Sequence, residues 1–180
     1  MERWLIAGPE DADAHLWASR IAELRGDYER ALAELEVAES IGIQSGIENR
    51  PGFRLSLLLR GGHTAQAAAM ADSMLAAGAL TNAPFLREFD RRRGYGAAAL
   101  LLDKRWESAA KMAEQMRVPA GETAQCTTLL MEMVGYDTAV LPENLRRAIM
   151  DTVSAHLPEI RNNPVLAPCE RGLSQRLFPR

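Results

Sequence analysis

The 180-residue sequence is poor in several residue types, and each shortage excludes something. Only two cysteines occur, Cys126 and Cys169, far apart and in neither CxxC nor Cys/His ligand spacing. Free thiols in a reducing compartment are expected rather than a disulfide framework or a zinc site. The three histidines, His15, His63 and His156, fall on different predicted elements, with His63 in a turn and His156 at a helix end, so no catalytic cluster forms around them. HExxH, G-x-S-x-G and a phosphate-cradling glycine loop do not occur, and "RRRGYG" lacks the strand–helix setting of a nucleotide loop. Net charge is −3 and the pI about 5.7, which argues against general attraction to nucleic acid. The opening "MERWLIAGPEDADAH" has too short an apolar run for a secretory signal or a membrane span. The expectation is a cytoplasmic, non-catalytic protein with neither cofactor nor metal, no membrane segment and no nucleic-acid partner.

Ala, Leu, Glu and Arg are abundant, all strong helix formers. Val and Ile are too sparse and scattered to build a sheet, and aromatics make up only 6%. The chain reads as all-α.

Within that helical background one stretch recurs. "LRGDYERALAELEVAES" from Leu24 aligns without gaps with "RGGHTAQAAAMADSMLAAG" from Arg60 and with "LDKRWESAAKMAEQMR" from Leu102. The turn positions run from Gly26 to Gly62 to Lys104, intervals of 36 and 42 residues. The same intervals relate Ala31, Ala67 and Ala109, then Leu32, Ala68 and Ala110, then Leu35, Ala71 and Ala113, then Ala38, Met74 and Met116. In each unit these positions are i, i+1, i+4 and i+7, one face of an amphipathic helix. A second helical stretch precedes each unit: "DADAHLWASRIAEL", "PGFRLSLLLR" and "PFLREFDRRRGYGAAALLL". Pro9, Pro51 and Pro84 stand at first-turn positions, where a missing N–H is harmless.

Three helix-turn-helix units of this kind resemble the tetratricopeptide repeat, whose period is about 34 residues. Unit one carries the resemblance in Gly26, Tyr28, Ala31, Leu35 and Ala38; units two and three place Thr64 and Trp106 where the Tyr stands. The first helices depart from the pattern at Ala18 and Ser19, and Gly94 and Gly96 interrupt unit three, each costing about 1 kcal/mol relative to Ala. The resemblance implies a right-handed α-α superhelix, with units over 11–41, 50–78 and 84–117. A degenerate fourth unit and capping helix over 121–157 would complete a domain spanning 1–160. In that cap "PENLRRAIMDTVSAHL" puts Leu145, Ile149, Val153 and Leu157 on one face, able to close the apolar end of a stack. Residues 158–180, with four prolines from 158 onward, read as an extended tail in which Leu173, Leu177 and Phe178 offer a short docking helix.

The resemblance also implies a concave groove lined by the first helices, which receives a peptide or a partner helix. Trp17, Phe53 and Tyr95 share the 36 and 42 intervals and would form an aromatic ladder along it, unless they pack between units. Arg20, Arg54, Arg60 and Arg91 lie close by in sequence and suit acidic groups on a ligand. The run Arg91-Arg92-Arg93, partly neutralised by Glu88 and Asp90, reads as a solvated face, as do Glu34, Glu36 and Glu39. The resulting expectation is an adaptor or scaffold that binds protein by shape, aromatic contact and arginine pairing. A docking fragment of a larger enzyme or secretion machine, and a helical subunit that self-associates through its end faces, are the alternatives.

Overall fold

Asp11 opens the first helix because its carboxylate accepts hydrogen bonds from the backbone N–H groups of Asp13 (2.9 Å) and Ala14 (3.2 Å), two of the donors that a helix start leaves unpaired. Asp27 does the same for the second helix, accepting from Arg30 N–H at 3.2 Å. The computed structural model describes residues 10–42, 50–80, 92–115, 141–164 and 167. Among these, every regular element is helical: α1 (Ala12–Leu24), α2 (Tyr28–Ile41), α3 (Arg50–Arg60), α4 (Thr64–Ala76), α5 (Arg92–Leu102), α6 (Trp106–Gln115), α7 (Glu143–Ala155) and α8 (Leu157–Asn162). The segment expected to begin a fourth unit, the two cysteines, Pro9, Pro84 and Met116 lie outside the described residues.

Three tight corners join α1 to α2, α3 to α4 and α5 to α6. Each corner places a left-handed residue at the aligned position: Gly26 at φ 77°, Gly62 at φ 85° and Lys104 at φ 60°. The hydrogen bonds repeat as well. The N–H of Gly26 reaches the Glu23 carbonyl (2.9 Å) and that of Asp27 the Ala22 carbonyl (3.0 Å). Gly62 and His63 reach Leu59 and Leu58 (3.2 and 2.8 Å), while Lys104 and Arg105 reach Leu101 and Leu100 (3.1 and 2.8 Å). This paired arrangement satisfies carbonyls that a helix end would leave open, and it requires one residue at positive φ. Glycine adopts that conformation freely, whereas a side chain there costs about 1–2 kcal/mol.

The small-residue stripe turns inward. Ala31, Leu35 and Ala38 of α2, Ala67, Ala68 and Ala71 of α4, and Ala109 of α6 have no exposed surface. With so little side chain between them, neighbouring backbones come close enough for polar groups to join: Ser19 on α1 donates its hydroxyl to the Ala31 carbonyl at 2.7 Å. α2 packs on α1 and α3, and the principal contacts continue between helices one or two places apart, among them α3 with α5, α4 with α6 and α5 with α7. The apolar interior has two parts. Leu16, Ala22, Ala31, Leu35, Ala38, Phe53 and Leu57 form one, and a larger group runs from Leu55 on α3 to Ile160 on α8; Leu32 packs against both.

α5 passes through Gly94 and Gly96 without interruption. Gly96 has a packing reason to be there, since a Cβ on it would lie 3.1 Å from a methyl carbon of the fully buried Leu80. α7 buries Leu145, Ile149 and Val153 as the periodicity predicts. The expected tail needs correction at its start. Leu157–Asn162 forms α8, with Pro158 in its first turn, where the missing N–H is no loss, and with Ile160 only 1% exposed.

Three substitutions test this account by chemical denaturation. Lys104→Gly relieves the left-handed side chain and should raise the unfolding free energy by up to about 1 kcal/mol, while Gly62→Ala should lower it by a similar amount. The Ser56 hydroxyl is fully buried and has no hydrogen-bond partner, so Ser56→Ala should stabilise the fold by about 1 kcal/mol.

Candidate functional site

The three aromatic positions of the proposed ladder meet different fates. Phe53 and Tyr95 are each 2% exposed, whereas Trp17 is 63% exposed. Phe53 joins Leu16, Ala31 and Leu35 in the first part of the core, and Tyr95 joins Leu55, Leu58 and Leu59 in the second. Each buried ring therefore shares its part of the core with residues of the preceding helices. Among the described residues no element comes before α1, and Trp17 keeps its surface. An open ladder of three rings is thus not present, because Phe53 and Tyr95 belong to the core.

The arginines assigned to a ligand are turned to one another's neighbours instead. Arg60 Nη1 donates to Glu23 Oε1 at 2.7 Å, and Arg20 Nη1 stands 3.5 Å from Glu23 Oε2. The Glu23 side chain is 9% exposed and links α1 to α3 through this contact. The Arg60 guanidinium also lies over the Tyr28 ring, 4.8 Å from its centroid, and that of Arg20 lies over Phe53 at 3.7 Å. Such cation–π contacts contribute about 0.5–2 kcal/mol according to how much water they exclude. Arg54 Nη2 donates to Glu39 on α2 at 2.5 Å. Arg91 lies outside the described residues. Arg20, Phe53, Arg54 and Arg60 are thus brought together, at the seam between the first hairpin and α3, as a structural cluster.

Several members of this seam carry no sequence signal of their own. Glu23 looks like any helix-surface carboxylate until α3 is laid against it. Glu34 and Glu39, expected on a solvated face, have partners: Glu34 Oε2 stands 2.7 Å from His15 Nδ1, and Glu39 holds Arg54. Of the expected three only Glu36 is exposed. His63 Nε2 stands 2.6 Å from Glu29 Oε1, so the second corner touches the start of α2. At the third corner Arg105 donates through Nε to Asp103 at 2.8 Å and through Nη1 to Asp72 on α4. Those hydrogen bonds, with Asp103 first, hold the guanidinium above its already high ordinary pKa.

Trp17 begins the exposed apolar stripe on α1. Leu24, 84% exposed, and the partly exposed Ile21 follow it at the i+7 and i+4 positions of the same face. Sequence reading singled out Trp17 but not its companions, since an isolated Ile or Leu beside a corner is ordinary. Among the described residues no helix is long and apolar enough to cross a membrane, and no three His, Cys, Asp or Glu residues converge as a metal site would require. Comparison with known proteins finds no matching family model, curated protein or solved structure.

Because Glu23 serves two arginines across the α1–α3 seam, Glu23→Gln should destabilise the fold by about 1–2 kcal/mol, the value being held down by the partial exposure of both guanidinium groups. A double-mutant cycle with Arg60→Gln in urea should recover most of that loss as coupling between the two positions.

Proposed function

We propose that this chain is a tetratricopeptide-repeat-like helical solenoid that acts as a non-catalytic protein-interaction module in the cytoplasm. The observation that carries the proposal is the recurrence of one corner geometry at Gly26, Gly62 and Lys104, spaced as the aligned sequence units are. Contacts between helices one and two places apart support the same reading, because a stacked array makes contacts of that kind. So does the core that Phe53 shares with Leu16, Ala31 and Leu35, and Tyr95 with Leu55, Leu58 and Leu59.

The surface this module offers to a protein partner is the Trp17, Ile21 and Leu24 face of α1. An exposed Trp supplies large contact area with few rotatable bonds, which is why Trp dominates binding energy at many interfaces. A groove lined by Phe53 and Tyr95 has no part in this reading, since both rings are internal.

Trp17→Ala and Tyr95→Ala separate the two roles. Trp17→Ala should change the unfolding free energy by less than about 0.5 kcal/mol, as surface substitutions do. Capture from a native-cell extract should nevertheless lose its Trp17-dependent partners. Tyr95→Ala should cost about 3–5 kcal/mol of stability, as removal of a buried aromatic ring does. An unchanged set of captured proteins with Trp17→Ala would remove the assigned surface.

A further inference from the structure

We draw no further inference here: the strongest candidate, the exposed apolar patch of Trp17, Ile21 and Leu24 on α1, belongs to the surface already described, and nothing in the structure shows what covers it.

Discussion

A residue in the left-handed conformation at the end of each first helix is the constraint on which the remaining architecture depends. It reverses the chain within three residues and spends the open carbonyls of one helix on the N–H groups that begin the next turn. Gly26, Gly62 and Lys104 all make this reversal, and the helix that follows each corner turns alanines into the core. Small side chains then allow backbones to approach closely, and dispersion between well-packed atoms adds to apolar burial. Corner and stripe are one device: the first sets direction, the second sets distance.

The contacts between successive hairpins use a different chemistry. At the first seam, Glu23, Arg20 and Arg60 connect α1 with α3 while two guanidinium groups cover the faces of Phe53 and Tyr28. At the third corner, Arg105 reaches Asp72 on α4 and Asp103 beside it. Both connections stand at hairpin corners, near solvent, where charged groups keep part of their hydration and avoid the full penalty of burial. The apolar interior fixes how helices lie, and these polar contacts tie successive hairpins together near their ends.

Helical content, three corners and the inward stripe were legible in the sequence because each depends on local spacing. A period of 3.6 residues marks the face, and a glycine marks two of the three turns. Lys104 is visible as a corner only through alignment, since nothing about a lysine announces positive φ. α7 was equally plain, with Leu145, Ile149 and Val153 on one side. The fate of the aromatic ladder was not legible, and the reason is physical. Periodicity tells which side of a helix is apolar but not whether another helix covers it, so Trp17, Phe53 and Tyr95 look alike until their neighbours are known. The same holds for Glu23, whose partners come from residue 20 in its own helix and from residue 60, 37 positions away. α8 was missed because a proline at a helix start and a proline in a loop read the same without the buried Ile160 beside it.

Leu80 and Gly96 make one junction unlike the others. The leucine fills a space that exists because residue 96 has no side chain, while the aligned residues in the earlier units are Arg54 and Ala18. Here a methyl or a longer chain at residue 96 would press on that leucine, which would have to shift to make room. The seating of Leu80 against α5 is set at that point by a single missing carbon.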